Sequence, residues 1–334
     1  MIADFSTALS HYQGGDAKSS EQVCRALVAA QPKHVDALHL LGQIALDGKQ
    51  FNQAERSLRK ALKVAPGKVE PTYTLAECFA AQGKRDKAIQ LLEQCLTTMP
   101  DFFHAHSLLA RLQLQGPDYH DMLAELHATI KPKRYLEIGV SRGNSFRLAS
   151  PDTLAIGIDP EPRVDFALPH NHRIAELTSD DFFADGHARD WFAGETFDFA
   201  FIDGMHRFEF ALRDFMNLER YSNAGSWVAV HDCIPLNEAT AQAERSTTFW
   251  SGDVWKLIIA LKKYRPDLDV LTLPCPPTGL GVIRNLDADN RIISDNYDAI
   301  VEEIRTIGFE HIRDNKAQQL NQTGIGKARK TWAA

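Results

Sequence analysis

Acidic and imidazole side chains follow two apolar runs in the second half of the chain. The run Phe197–Ile202 leads into Asp203-Gly204-Met205-His206, and the run Trp227–Val230 leads into His231-Asp232. If both runs are buried parallel strands, their carboxyl ends meet at one edge of a sheet, where open α/β sheets bind ligands. Carboxylate oxygens bind divalent cations, and imidazole can accept a proton near neutral pH. The sequence therefore predicts one polar site, made of Asp203, His206, His231 and Asp232.

A glycine-containing turn follows an earlier apolar strand. The strand Arg134–Ile138 leads into Gly139, and Gly143 comes shortly after it, ahead of a predicted helix. Glycines at such a turn let the backbone approach a ligand closely. The pattern starts at Glu137 and reads E-x-G-x-x-x-G, which is neither a dinucleotide fingerprint nor a phosphate-binding loop. Glu137, Gly139 and Gly143 are therefore candidate cofactor-binding residues.

Polar residues also follow the next two predicted strands. Asp159 ends the second strand, where an acidic side chain can accept hydrogen bonds from both ribose hydroxyls, and Glu161 is the alternative for this role. Ser179 and Asp180 come after the third strand. They either reach an adenine edge or form a simple helix N-cap, and the sequence leaves both interpretations open.

These residues need a sheet to position them, and the chain has the pattern of one. Short apolar runs alternate with helical stretches after the amphipathic helix Tyr119–Ile130, which is typical of a mostly parallel sheet. A Pro-rich connection, residues 274–279, joins the last two runs. Trp255 is predicted to be core, whereas Trp250 is either core or part of an acceptor-site wall. The predicted strands are Arg134–Ile138, Leu154–Ile158, His172–Ala175, Phe197–Ile202, Trp227–Val230, Leu268–Leu273 and Gly281–Arg284.

The order of these motifs is similar to that of class I methyltransferases, which use S-adenosylmethionine. E-x-G, an acidic strand tip, I-D-G-x-H and A-G followed by H-D succeed one another within residues 119–286. The chain resembles most the branch that includes sugar O-methyltransferases of macrolide biosynthesis and cephalosporin-hydroxylase-like proteins. The resemblance implies a Rossmann-like seven-stranded domain that methylates a hydroxyl of a sugar or glycosylated small molecule.

The same resemblance implies roles for the polar residues. Asp203 and Asp232 correspond to ligands of a divalent metal such as Mg²⁺, and His206 corresponds to a catalytic base. His231 stands where metal-dependent members can have Glu, and is taken as a third candidate ligand. S-adenosylmethionine would then contact Glu137, Gly139, Gly143, Asp159, Ser179 and Asp180.

The first third of the chain repeats with a constant period. Pro32, Pro66 and Pro100 are 34 residues apart, and small residues recur at matching positions of each unit, as at Gly42 and Ala76. This pattern resembles the tetratricopeptide repeat family, in which each unit is a pair of helices. The resemblance implies a concave surface that binds a protein or peptide. A helical cap that stabilises or dimerises the enzyme explains the pattern equally well.

The predicted architecture is an all-α helical repeat array followed by an α/β Rossmann-like seven-stranded methyltransferase domain. The repeats are expected over residues 1–115, a Gly-Pro linker over 116–118 and the methyltransferase domain over 119–290. Residues 291–334 are expected to form a helix at about Tyr297–Ile307 and a polar, mobile tail from Lys316 onward.

Composition narrows the range of partners. The net charge of −7 gives no basic footprint for duplex nucleic acid, and no apolar run is long enough to span a membrane. The first residues lack the basic and apolar regions of a secretory signal. The five cysteines have no metal-type spacing, so we expect them to be reduced thiols of a cytoplasmic protein. They are Cys24, Cys78, Cys95, Cys233 and Cys275. A homo-oligomer is a separate possibility that the sequence leaves open.

Two other functions compete with methyl transfer. In the first, the repeats recruit a partner and the α/β domain is catalytically inactive, which the retained Asp203, His206, His231 and Asp232 argue against. In the second, the sheet binds a dinucleotide or nucleotide sugar, which the glycine spacing argues against.

Overall fold

The computed structural model describes residues 4–184, 190–191 and 194–332. The chain divides into two compact units, Met1–Gln113 and Leu114–Ala334. Among the described residues, no helix is both long and apolar enough to cross a membrane.

The described part of the first unit is made of helices that pack against their neighbours along the chain. Each second helix of a pair ends two residues before the repeating proline, because proline has no N–H to continue the helical bonding. Pro32, Pro66 and Pro100 therefore mark the repeat as the sequence predicted. The helices are α1 (Phe5–Gln13), α2 (Ala17–Ala30), α3 (Val35–Asp47), α4 (Phe51–Val64), α5 (Val69–Ala81), α6 (Arg85–Thr98) and α7 (Phe103–Gln113).

Small residues allow the paired helices to approach closely. A Cβ atom on Gly42 in α3 would lie 2.5 Å from Cγ of Leu58 in α4, so a larger side chain there would force the helices apart. Ala45, Ala54 and Leu58 are buried in one apolar cluster with the next repeat. The helical period of small and apolar residues thus sets the helix spacing.

The second unit is built on a seven-stranded sheet in the described residues, with strand order β3-β2-β1-β4-β5-β7-β6. The first five strands are parallel, while β7 is antiparallel to both β5 and β6. From β1 the chain adds β2 and β3 on one side and then returns to add β4 on the other side. Sheets of this kind bind ligands where the strand order changes in this way, here between β1 and β4. The strands are β1 (Arg134–Ile138), β2 (Leu154–Ile158), β3 (His172–Ala175), β4 (Phe199–Ile202), β5 (Trp227–His231), β6 (Asp269–Leu273) and β7 (Leu280–Arg284).

Alternate residues of the central strands enter two separate apolar clusters, one on each face of the sheet. Leu136 and Ala200 belong to the first cluster, and their neighbours Tyr135 and Phe199 belong to the second. Both faces are buried because side chains alternate along a strand and helices cover a parallel sheet on both sides. This explains why the strands read as continuous apolar runs in the sequence.

Helices flank this sheet. They are α8 (Tyr119–Ile130), α9 (Ser179–Ala184), α10 (Phe208–Glu219), α11 (Trp255–Tyr264), α12 (Ile292–Arg305), α13 (Glu310–Arg313), α14 (Lys316–Gln319) and α15 (Ile325–Trp332). The helix expected at Tyr297–Ile307 begins earlier, at Ile292, because the backbone kinks at Asn296 and the regular apolar pattern starts only after it.

Two expectations for this unit are wrong. The glycine turn leads into a short 3-10 turn, Phe146–Leu148, because Pro151 follows closely and proline disfavours helical backbone before it. The segment after Lys316, expected to be mobile, is folded. Thr272 of β6 exchanges backbone hydrogen bonds with Asn321 and Thr323 at 3.1 and 2.8 Å, and Leu320 is buried. Its few apolar residues are enough to anchor a mainly polar sequence.

Candidate functional site

Gly139 follows β1 in a conformation that favours glycine. Its φ is +88°, and a Cβ atom there would lie 2.0 Å from the carbonyl oxygen of Asp203. The backbone N–H of Asp203 donates to the carbonyl of Ile138 at 2.8 Å, so the ends of β1 and β4 touch at this point. Any other residue at position 139 would separate the two strand ends.

Ser141 takes a backbone conformation that glycine would adopt more easily. Its φ is +46°, and its N–H donates to Oδ2 of Asp159 at 2.7 Å. The other carboxylate oxygen of Asp159 accepts the N–H of Glu161 at 2.8 Å. The end of β2 therefore holds the turn after β1, and the remaining lone pairs of Asp159 stay free for a ligand.

Glu137 and Gly143 lie behind the turn, outside the lining of the cavity. Glu137 is fully buried, and its two oxygens accept hydrogen bonds from the hydroxyls of Tyr135 and Ser145, each at 2.6 Å. Burial raises the pKa of Glu137 to about 8. Gly143 has φ +74° and donates its N–H to the carbonyl of Val140 at 2.7 Å. Both residues shape the turn from behind.

A cavity of about 680 Å³ opens at the carboxyl ends of β1, β2 and β4. This volume lies within the usual range of roughly 300–1,000 Å³ for ligand sites. Glu161 lies outside the cavity lining and is exposed beside Arg163, so Asp159 is the better-placed acid of the two. Six of the sequence-predicted residues line the cavity: Gly139, Asp159, Ser179, Asp180, Asp203 and His206.

The helix cap at the start of α9 is Thr178 and not Ser179-Asp180. The Thr178 hydroxyl accepts the N–H of Asp181 at 3.1 Å and donates to the Asp181 carboxylate at 2.7 Å. Asp180 instead forms an ion pair with Arg213 at 2.6 Å. Three consecutive residues can cap a helix here, so the sequence pattern alone did not distinguish them.

Asp203, His206 and Asp232 converge at the ends of β4 and β5. Nδ1 of His206 lies 2.8 Å from Oδ2 of Asp232, and Nε2 lies 3.6 Å from Oδ1 of Asp203. Asp232 is 2 % exposed, whereas Asp203 and His206 line the cavity. The two strands thus bring together the residues that the sequence predicted for one site.

His231 lies behind this cluster. Its Nδ1 is 3.1 Å from Oδ1 of Asp203 and 3.5 Å from Oδ2 of Asp232, while Nε2 is 3.3 Å from the hydroxyl of Thr278. The ring of Tyr119 stacks on it at a centroid distance of 4.1 Å. His231 therefore contacts both carboxylates but does not line the cavity.

The electrostatics of the four residues are coupled. Burial alone would lower the pKa of His206, but Asp232 and Asp203 outweigh burial and raise it to about 9. Burial likewise opposes the charge of His231, yet Asp232 and Asp203 hold its pKa well above the usual value. Burial would raise the pKa of Asp232, and the two imidazoles instead hold it far below the usual range. The two carboxylates therefore favour the protonated form of both imidazoles.

This donor set fits a divalent cation. Asp203, His206 and Asp232 each offer one ligand atom, and the three atoms lie within 4.8 Å of one another. Two carboxylates and an imidazole suit several divalent metals, with Mg²⁺ preferring the oxygens. The sequence placed His231 in the ligand set and His206 outside it. In the structure His206 is the imidazole nearest to Asp232. His206 is therefore a candidate both for a metal ligand and for the catalytic base.

The segment between β5 and α11 holds His206 in place. The Trp250 ring stacks on the imidazole at 5.4 Å with an interplanar angle of 10°, and Asp253 accepts the N–H of Phe208 at 2.7 Å. A Cβ on Gly252 would lie 1.6 Å from the His206 carbonyl oxygen. Trp255 is core, as predicted. Sequence reasoning missed these contacts because the partners are some 40 residues apart.

Two family models match this chain. Residues 45–112 match a tetratricopeptide repeat, and residues 136–233 match a methyltransferase domain. A stretch of 103 residues is 27% identical to the human protein O-mannosyl-transferase TMTC3 and makes up 30% of this chain and 11% of that protein. The chain thus spans about a tenth of the length of this relative.

Solved structures with similar parts have low sequence identity. MamA 41-end from Desulfovibrio magneticus RS-1 is 19% identical with a TM-score of 0.32, covering 33% of this chain and 63% of its own. The K341M mutant of Thermobaculum terrenum O-GlcNAc transferase is 21% identical with a TM-score of 0.33. The match covers 59% of this chain and 44% of the transferase chain. Cofactor-bound Rv0187 from MTB is 17% identical with a TM-score of 0.39. The match covers 50% of this chain and 79% of the Rv0187 chain.

The two family matches coincide with the two kinds of architecture described above. The helices with 34-residue spacing contain the repeat match, and the sheet from β1 to β5 contains the other. The chain therefore carries tetratricopeptide-type helical repeats followed by a seven-stranded α/β, methyltransferase-like domain.

Proposed function

We propose that this protein is an O-methyltransferase that methylates a hydroxyl group of a sugar or glycosylated small molecule, with a divalent metal at Asp203 and Asp232. The observation that carries the proposal is the single cavity that Asp159 and Gly139 share with Asp203 and His206. A donor held at one end of this cavity would present its methyl group to an acceptor held at the other.

The donor end rests on the turn after β1 and on Asp159. Asp159 is already oriented by the N–H groups of Ser141 and Glu161, so it can accept ribose hydroxyls without reorganising. Bound S-adenosylmethionine would supply an electrophilic methyl group, and the protein would contribute positioning and electrostatics. Gly139 leaves room for close approach of the donor, and Ser179 and Asp180 lie on the cavity wall near α9.

The transfer end rests on the cluster around Asp203. A hydroxyl acceptor must lose its proton as the new C–O bond forms, and His206 is the imidazole of this cluster that lines the cavity. A base must be unprotonated, whereas the two carboxylates raise the pKa of His206 to about 9. A divalent cation held by Asp203 and Asp232, with His231 behind them, would offset these negative charges and leave His206 neutral at physiological pH. The metal and the base are therefore proposed together.

The repeats are proposed as a binding surface for a protein partner, with residues 1–115 folding as a unit joined through 116–118 to a domain over 119–290. Buried Gly42, Ala45 and Leu58 give this unit its own apolar clusters. The fragment 1–115 should be strongly helical by circular dichroism, and a fragment without helix would contradict the division. A reducing, cytoplasmic compartment belongs to the proposal because all five cysteines are buried free thiols.

The experiment that tests the enzymatic proposal combines binding and turnover. Titration calorimetry should detect S-adenosylmethionine and S-adenosylhomocysteine, with NAD as a comparator that does not bind. Methyl transfer to a panel of sugar hydroxyl acceptors is then measured with and without a chelator. Chelation and Asp203→Asn should each abolish turnover while donor binding survives. Full activity in the presence of chelator would show that turnover needs no metal. Absence of donor binding would overturn the methyltransferase proposal.

A further inference from the structure

A second cavity lies at the starting ends of β1 and β2, away from the cavity at their carboxyl ends. Its volume is about 620 Å³, which is within the usual range of roughly 300–1,000 Å³ for ligand sites. Pro132 and Lys133, which precede β1, and Thr153, which precedes β2, are part of its wall. The two cavities have no lining residue in common, so the proposed methyl transfer does not use this space.

His127 of α8 belongs to the wall of the second cavity and lacks hydrogen-bond partners. It is 8 % exposed, and neither of its ring nitrogens has a partner among the described residues. Burial lowers the pKa of His127 to about 4, so the neutral ring has one N–H donor and one acceptor. The rings of Tyr135 and Phe199 pack against it at centroid distances of 4.6 and 5.1 Å, and the Tyr135 hydroxyl donates to Glu137. Unpaired buried nitrogens cost free energy, and a ligand in the cavity can supply the missing partner.

Two lysines add positive charge to the same wall. Lys131 and Lys133 line the cavity, and neither ammonium group is in an ion pair among the described residues. Asp152, an acid of the same lining, is exposed and offsets one of the two charges. The remaining charge and the N–H donors favour a ligand with an anionic acceptor group, such as a carboxylate.

Apolar side chains form much of the remaining wall. Ala124 and Ala128 contribute from α8, and the partly buried Leu148 contributes from the turn after β1. Apolar surface of this kind favours the apolar body of a ligand, because both surfaces are then removed from water. The two alanines leave space that a ring can fill.

We propose that the second cavity binds a small carboxylic acid with an apolar ring, whose carboxylate is held by Lys131, Lys133 and His127. The ring of the acid lies against Ala128 and Leu148. Because the other cavity stays free, this acid is a ligand in addition to the methyl donor and the acceptor.

The test compares an acid with its neutral analogue on variants of the full-length protein. Cinnamate and cinnamamide share the same apolar ring, and only cinnamate is charged. Both are titrated calorimetrically into the wild type and three variants. Lys131→Gln/Lys133→Gln removes the positive charge, His127→Phe keeps a ring but removes both nitrogens, and Ala128→Phe fills the cavity.

Matched controls carry the same kinds of substitution outside both cavity linings. Lys327→Gln/Lys330→Gln removes two charges at exposed positions of α15, and Thr129→Phe adds a ring at the exposed position next to Ala128. Circular dichroism and thermal melting check that every variant folds.

The wild type and both controls should bind cinnamate with a Kd below about 1 mM, at least about fivefold more tightly than cinnamamide. Lys131→Gln/Lys133→Gln should remove this preference, and His127→Phe should weaken cinnamate binding about threefold or more. Ala128→Phe should weaken the binding of both ligands about tenfold or more. Wild-type binding of cinnamate weaker than about 1 mM, equal binding of the two ligands by the wild type, or an unchanged cinnamate affinity in any of the three variants would overturn the assignment.

Discussion

The two ends of the cavity are built from different kinds of interaction. At the donor end, the Asp159 carboxylate accepts the backbone N–H of Ser141, in the turn after β1, at 2.7 Å and the N–H of Glu161 at 2.8 Å. At the transfer end, Asp203, His206, His231 and Asp232 hold one another through charge within 2.8–3.6 Å. The first arrangement depends on backbone conformation and the second on protonation and bound cations.

This difference predicts that substitutions can impair turnover and donor binding independently. A change of charge at the transfer end should affect turnover and leave donor affinity intact, because the donor contacts are made by other residues. A change at the end of β2 should do the reverse. Four measurements test this difference.

The largest effect is expected for His206→Ala. Removing a general base typically lowers the rate by roughly 10²–10⁴, and the affinity for S-adenosylhomocysteine should stay unchanged. The measurement is methyl transfer under saturating donor, with calorimetry on the same preparation. His170→Ala, an exposed histidine outside the cavity lining, is the matched control. Near-normal turnover of His206→Ala would remove the base, and lost donor binding would show that the two ends are not independent.

Glu137 offers a pH-dependent test behind the donor end. Its folded-state pKa is raised by burial from 4.5 to about 8, so the folded protein binds a proton that the unfolded chain releases above pH 4.5. The stability due to this group is fully present below pH 4.5 and is lost as the pH rises to about 8, by on the order of 3–5 kcal/mol. Glu137→Gln, which mimics the neutral acid, should lack this loss.

The measurement is the free energy of unfolding in urea for the wild type and Glu137→Gln at pH 5 and pH 8.5. The free energy of unfolding of the variant should increase relative to that of the wild type as the pH rises, because the two proteins differ in no other titrating group. A constant difference between them would show that Glu137 is ionised in the folded state.

Asp159→Ala should weaken donor binding by about 1.5–3 kcal/mol through loss of a charged acceptor. The cluster around Asp203 should be unaffected, so the turnover at saturating donor should stay near that of the wild type. Glu161→Ala, two residues away and exposed, is the matched control for calorimetry. Lost affinity in Glu161→Ala with normal affinity in Asp159→Ala would transfer the ribose role to Glu161.

The smallest effect is expected at the start of α9. Thr178→Ala removes the helix cap and should lower the free energy of unfolding by about 1 kcal/mol, with little change in turnover. Thermal unfolding measures it, with Thr306→Ala, an exposed residue after the end of α12, as the control. An unchanged stability would mean that the adjacent Ser179 takes over as the cap.

The sequence predicted the strands well and the contacts between distant segments poorly. Arg134–Ile138 and Leu154–Ile158 have the predicted bounds because both faces of a parallel sheet are buried and each strand reads as a mainly apolar run. His172–Ala175 also has the predicted bounds, although it is an edge strand with an exposed Arg173. The order of the motifs then predicted which strand ends meet. The sequence thus predicted that Asp203, His206 and Asp232 lie in one site.

What the sequence missed depends on the tertiary fold. Tyr119 stacks on His231 and Trp250 stacks on His206, and no local pattern links the members of these pairs. The wrongly predicted mobile tail has a similar origin. Leu320 is one apolar residue in a polar stretch, and only its burial beside β6 reveals that the segment is folded.

The late position of β7 has a consequence for synthesis of the chain on the ribosome. β5, which ends in His231 and leads to Asp232, pairs on its outer side with β7, so this edge has no partner until residues 280–284 have been made. At 5–20 residues per second, the intervening roughly fifty residues take about 3–10 s. During that time the edge of an apolar strand is available for misassembly with other nascent chains. The strand that leads to the transfer end of the cavity thus lacks its outer neighbour until late in synthesis, and slowed translation or a chaperone would matter at this edge.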